Sequence, residues 1–214
     1  MNFANVPAEL LNRSQWTNWK YETRKGKPTK PPCDAQGNLC DAAKDPPAKS
    51  FVQALADLNM SWNNGGTLAG LGFTFTADDP YCGVDLDKCR NDKTGALAPW
   101  SQAIVEKLAS YTEVSPSGTG VKIFLRGKLP GSRNRKDRIE MYDQARFFTV
   151  TGQHVADTPT TVEERQQALE ELYRQTFGEE KPRIDEHPPP AVTGNSKLDH
   201  LMAGRLAKAE FNDA

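Results

Sequence analysis

Residues 81–87 read Tyr-Cys-Gly-Val-Asp-Leu-Asp and residues 138–142 read Arg-Ile-Glu-Met-Tyr. Both stretches alternate with the two-residue period of a β-strand. In the first, Val84 and Leu86 point into a core, so Asp85 and Asp87 share the opposite face. In the second, Glu140 opposes Ile139 and Met141. Carboxylates gathered on a sheet face repel one another and lose hydration unless a cation sits among them. A hard divalent metal is the usual cation for such oxygen ligands. The pattern therefore demands a sheet with one apolar and one acidic face, and it points to two-metal phosphoryl or nucleotidyl transfer.

A second constellation lies between the acids in sequence. The loop Ser115-Pro116-Ser117-Gly118-Thr119-Gly120 runs into the strand Val121–Arg126. Its glycines bring backbone N–H groups close to an anion, and its hydroxyls add donors. The strand projects Lys122 and Phe124 to one face and Val121, Ile123 and Leu125 to the other. Ser115, Ser117, Gly118 and Lys122 thus read as a triphosphate cradle. The GxxxxGK[ST] spacing of a P-loop is absent. Arg146, at the start of the next strand, either binds phosphate or pairs with an acid such as Asp143.

Net charge is −1, which excludes a globally basic nucleic-acid binder but not a local patch. Two patches exist. One runs from Lys20 to Lys30 and includes Lys27 and Lys30; the other spans Lys128 to Arg138 and includes Arg133, Arg135 and Lys136. These five are candidate DNA or phosphate contacts. No run approaches the ~20 apolar residues of a membrane span, and the N-terminus lacks a signal-peptide pattern. The expectation is a cytoplasmic protein that does not engage membranes. Cys33, Cys40, Cys82 and Cys89 form no close CxxC pair, which leaves a zinc site weakly supported. Cys82 shares the parity of Val84 and reads as a core thiol. No Ser/His/Asp arrangement is visible, and the four tryptophans read as core.

Along the chain, a short helix or turn leads into a strand near Trp16–Tyr21, and a polar loop follows over 22–47. Ser50 caps an amphipathic helix over 50–60. Gly70 and Gly72, inside the strand 68–76, point to close approach by another backbone or a ligand. Further elements are a helix over 100–110, strands over 111–114 and 146–151, and a helix over 162–177 whose Glu163 and Glu164 complement its positive end. The fold class is α+β. Residues 1–178 read as one catalytic domain, 179–195 as a Pro- and charge-rich linker, and 196–214 as the start of a helical segment of a longer protein.

The ordered set Asp85-x-Asp87, Ser115-Pro-Ser-Gly-Thr-Gly-Val-Lys122, Ile139-Glu140-Met-Tyr142 and Arg146-Phe-Phe-Thr-Val-Thr-Gly152 resembles the primase-polymerase domain of the archaeo-eukaryotic primase superfamily, in its phage and plasmid replication branch. Gln15-Trp16-x-x-Trp19 and Lys27-Pro-Thr-Lys30-Pro add to the likeness, which spans roughly residues 14 to 155. The resemblance implies an RRM-like catalytic sheet packed with an N-terminal α/β unit, the active cleft lying between them. It implies DNA-templated primer synthesis and extension with nucleoside triphosphates and two Mg²⁺ or Mn²⁺ ions, in a bacterial host. Asp85, Asp87 and Glu140 would be the metal ligands, Ser117 and Lys122 the phosphate ligands, and a helicase would follow in the longer chain. The family usually carries a histidine where this chain has Lys122; lysine keeps a positive donor but offers no imidazole acid–base chemistry. Two alternatives stand beside this reading. A rolling-circle nicking enzyme would use Tyr142 but lacks an HxH pair. A non-catalytic DNA-binding accessory module would explain the basic loops but not the three acids.

Overall fold

The computed structural model describes residues 3–44 and 49–179. Of the linker expected over 179–195 only Glu179 is described, and the helical segment expected over 196–214 lies outside the described residues. The architecture is α+β, as the sequence predicts.

After a 3-10 turn at Phe3–Asn5, the elements in chain order are α1 (Ala8–Leu11), β1 (Trp16–Lys20), β2 (Glu22–Arg24), β3 (Lys27–Thr29), β4 (Pro32–Cys33), α2 (Phe51–Asn63), β5 (Leu68–Phe75), β6 (Tyr81–Leu86), α3 (Pro99–Leu108), β7 (Thr112–Val114), β8 (Val121–Arg126), β9 (Arg135–Lys136), β10 (Ile139–Tyr142), β11 (Arg146–Val150), β12 (Glu163–Glu164) and α4 (Gln166–Phe177). One sheet has the order β11-β5-β1-β4. The second has the order β12-β8-β6-β10-β9, with β7 also paired to β8. Strands β2 and β3 form a separate hairpin.

Strand parity builds the cores. Val84, Leu86, Val121, Ile123, Leu125 and Met141 are buried on the back of the second sheet, where Val105 and Leu108 of α3 and Leu169 and Leu172 of α4 complete a cluster. Cys82 lies in it as the expected core thiol. The front of the same sheet sends Tyr81 and Phe124 into another cluster with Trp16, Phe73, Phe75 and Phe148 of the first sheet and Ala54 and Leu58 of α2. Helix α2 starts where the sequence says: Ser50 Oγ accepts from Gln53 N, and Gln53 Oε1 accepts from Ser50 N at 2.9 Å, a reciprocal capping box.

Two glycines stand where a side chain would not fit, Gly72 against the next strand of its own sheet and Gly83 between the two sheets. A Cβ on Gly72 would lie 2.5 Å from the Phe147 ring and 2.8 Å from Phe148 O, which bears out the close approach read from the sequence. A Cβ on Gly83 would lie 2.3 Å from the Phe148 ring and 2.6 Å from the Phe75 ring. Gly83→Ala is therefore expected to destabilise the fold by about 3 kcal/mol, since neither buried ring has room to retreat; chemical denaturation of the variant measures it.

Three expectations are corrected. The polar stretch 22–47 is not a plain loop, because β2 and β3 pair across a two-residue turn with Lys25 at φ 49° and Gly26 at φ 74°. The last helix begins at Gln166, not at 162. Glu163 and Glu164 pair in parallel with Leu125 and Arg126, so they sit on a sheet edge and not in the first turn of a helix. Tertiary pairing overrides their helix propensity: Glu163 N donates to Ser110 Oγ and Arg165 N to Arg126 O. Trp62 is 49% exposed and not core, its indole N–H donating to Leu68 O.

Candidate active site

The antiparallel registers place one charged residue opposite another across five strands. Arg135 of β9 faces Glu140 of β10, Glu140 faces Asp85 of β6, Asp85 faces Lys122 of β8, and Lys122 faces Glu113 of β7. Directly opposed residues share a face. The front of the sheet thus carries a row of ionisable side chains in the order basic, acidic, acidic, basic, acidic. Asp87 follows β6 and continues its ladder, its amide donating to Arg138 O at 2.9 Å.

Two acids meet cations from this chain. Asp85 Oδ2 accepts from Lys122 Nζ, and both side chains are largely buried. Asp85 Oδ1 is buried with no hydrogen-bond partner among the described residues. Glu140 accepts from Tyr142 Oη at 2.9 Å and pairs with Arg135 at 3.1 Å and Arg146 at 3.4 Å. The acid that Arg146 meets is therefore Glu140, while its guanidinium also covers the Tyr142 ring at 4.6 Å. Asp87 titrates above the ordinary carboxylate range, because burial and then the charges of Asp85 and Glu140 oppose its ionisation.

Among the described residues, no three acidic, imidazole or thiol side chains converge as a finished metal cage. The donor set nevertheless suits a divalent cation. An unpartnered buried carboxylate oxygen and a carboxyl raised by burial and by two neighbouring acids are both relieved by positive charge.

The Ser-Pro-Ser-Gly-Thr-Gly loop is a tight turn beside this row. Gly118, at φ 75°, donates its N–H to Ser115 O at 2.9 Å. The hydroxyls form a chain, Ser115 Oγ to Ser117 Oγ at 2.9 Å and Ser117 Oγ to Thr119 Oγ1 at 3.1 Å. Arg90, which the sequence reading passed over, ties the loop from beneath by donating to Gly118 O at 2.9 Å. Lys122 emerges beyond the loop with its ammonium 4.3 Å from the Phe148 ring centre.

Asp85, Asp87, Ser115, Ser117, Lys122 and Arg146 line one cleft of about 430 Å³, together with Phe148 and Thr149 of β11 and Arg24, Thr29 and Lys30 of the hairpin region. Glu140 lies beside Asp85 on the same face as its cross-strand partner, and is not among the residues that line this cleft. The DNA candidates divide. Lys30 lines the cleft, and Lys27 is exposed on β3. Arg133 and Lys136 instead donate to Phe177 O and Thr176 O, the last carbonyls of α4, at 2.5 and 2.6 Å. Cations at a helix C-terminus have a structural role of their own. Arg135 pairs with Glu140 while its side chain is 64% exposed.

Sequence reasoning counted Arg24 in the Lys20–Lys30 basic patch without singling it out, and missed Glu113. Glu113 is fully buried and accepts from Thr151 N, Gly152 N and the Tyr111 hydroxyl at 2.9, 3.0 and 3.1 Å, with Lys122 opposite and His154 bridged to its strand. Burial outweighs these bonds and pushes its carboxyl up to about 7. The folded state therefore holds a proton that the unfolded chain releases near 4.5, so stability is expected to fall as pH rises between about 4.5 and 7. Glu113→Gln should flatten that slope in thermal unfolding measured across this range.

Tyr142, the nucleophile a nicking enzyme would use, donates its hydroxyl to Glu140, and burial pushes it up to about 12. No helix among the described residues is long and apolar enough to cross a membrane.

No family model matches the chain. It is 32% identical over 157 residues to the DNA primase-polymerase of Nitratiruptor phage NrS-1, a match that covers 69% of this chain and 21% of the phage protein. The chain therefore spans about a fifth of the length of that relative. Joined to the ordered acids, the hydroxyl loop and Lys122 in one cleft, this similarity bears out the resemblance carried by the motifs: the chain is a relative of phage DNA primase-polymerase.

Proposed function

We propose that this chain carries out DNA-templated nucleotidyl transfer, making and extending primers in phage- or plasmid-type replication. The observation that carries the reading is the gathering of Asp85, Asp87, Ser115, Ser117 and Lys122 around one cleft. Supporting it is the similarity to a phage DNA primase-polymerase. The sheet that holds the acids, backed by α3 and α4, would be the RRM-like half of the fold.

Asp85, Asp87 and Glu140 are the residues that would hold two divalent cations, Mg²⁺ or Mn²⁺. Bound there, such ions would acidify an attacking 3′-hydroxyl and neutralise the triphosphate. Lys122 exchanges Asp85 for a phosphate oxygen, and the face of Phe148 keeps its ammonium aimed into the cleft. The hydroxyls of Ser115 and Ser117, already linked to each other, turn outward to phosphate oxygens, while Arg90 keeps the Gly118 turn in place. Arg146 offsets phosphate charge from the neighbouring strand. Lys27 and Lys30 approach the template. This role places the protein in the cytoplasm of a bacterial host, with single-stranded DNA and nucleoside triphosphates as substrates and a helicase in the same longer chain.

Incubation with single-stranded DNA, labelled nucleotides and Mg²⁺ or Mn²⁺, with and without a primer, tests the proposal. Incorporation should require the metal, whereas DNA binding should persist in EDTA. DNA binding with no incorporation in either metal would identify an accessory module instead.

A further inference from the structure

We propose that Arg24 is a second-wall ligand for the triphosphate of the incoming nucleotide, an inference that rests on the nucleotidyl-transfer reading of the same cleft. The cations of the catalytic sheet are already engaged with its acids: Lys122 with Asp85, and Arg146 with Glu140. A polyphosphate entering the cleft needs positive charge that these pairs do not cancel. The hairpin β2–β3 brings it, because Arg24 lines the cleft that also holds Ser115 and Ser117.

Arg24 is poised for exchange. Its carboxylate partner among the described residues is Glu22, two residues earlier on the same face of the same strand, bonded through Nε at 2.6 Å. The pair is well exposed, at 53% for Arg24 and 32% for Glu22. Exposed pairs contribute little and are readily traded. The rest of the guanidinium fork suits a bidentate grip on phosphate oxygens, which a lysine does not provide. Arg24 serves the nucleotide and not the template because it lines the cleft together with the hydroxyl loop and the acids, whereas the neighbouring Lys25 and Lys27 do not line it.

The test uses the full-length protein with Arg24→Ala and Arg24→Lys. Nucleotide KM and kcat are read by primer extension, and template affinity by fluorescence anisotropy on labelled single-stranded DNA. Arg24→Ala should raise the nucleotide KM roughly tenfold, the loss of one charge-assisted contact, with kcat and template affinity unchanged. It should weaken binding of a nucleoside triphosphate but not of the corresponding monophosphate. Arg24→Lys should recover only part of the loss. An unchanged nucleotide KM with weakened DNA binding overturns the proposal and gives the hairpin to the template. No change in either reduces Arg24 to a surface ion pair. Wild-type protein that incorporates nothing defeats the underlying functional reading, an outcome visible before any Arg24 variant is compared.

Discussion

Asp85→Asn should lower nucleotide incorporation by about a thousandfold or more. Asp85 sits at the centre of the charged row, between Glu140 and Lys122, and carries the one buried carboxylate oxygen on that face without a hydrogen-bond partner among the described residues. Asparagine keeps the volume and one carbonyl oxygen but removes the charge, so the site loses its affinity for a divalent ion while the strand stays packed. The fold should survive. Lys122 keeps the face of Phe148 and, in the amide oxygen of Asn, an acceptor at position 85, so the stability cost stays near the ~1–3 kcal/mol of a broken charged hydrogen bond. Far-UV circular dichroism and denaturant unfolding check the fold, and steady-state extension checks the activity. Retained synthesis would remove Asp85 from the metal site.

Lys122→Ala should act in two opposite directions. Nucleotide affinity should drop roughly tenfold to a hundredfold, the cost of losing one charge-assisted contact to phosphate, with template affinity unaltered. Affinity for the divalent ion in the absence of nucleotide should rise, because Lys122 Nζ occupies Asp85 Oδ2 and competes with any metal for that oxygen. Calorimetric titration of Mg²⁺ or Mn²⁺ into both proteins measures the second effect. A merely structural lysine gives no gain in metal affinity, and equal losses of nucleotide and template binding would argue against the cradle.

Much of the site was legible because β-strands alternate. Parity alone put Val84, Leu86, Val121, Ile123 and Leu125 into the core and Asp85 and Lys122 on the other face, and the structure buries them so. The helix cap at Ser50 was legible for the equally local reason of a reciprocal side-chain bond. Register was not. No local signal says that Glu140, Asp85, Lys122 and Glu113 fall on one line, since that depends on the spatial order of β10, β6, β8 and β7. The hairpin β2–β3 was hidden because both its faces are largely exposed, which erases the alternation and leaves only the Lys25-Gly26 turn as a signal. The basic loop before Glu140 looked like a phosphate contact from composition. Two of its cations instead cap α4, a helix end distant in sequence.

The central claim is that the acids and the hydroxyl-lysine cradle form a template-directed nucleotidyl-transfer site. Its most direct test is incorporation on homopolymer single-stranded templates with each labelled nucleotide in turn, comparing wild type with Asp85→Asn. The account predicts that the wild type incorporates only the nucleotide complementary to the template and that Asp85→Asn incorporates none. Incorporation that ignores the template, or that survives loss of the Asp85 charge, would contradict it.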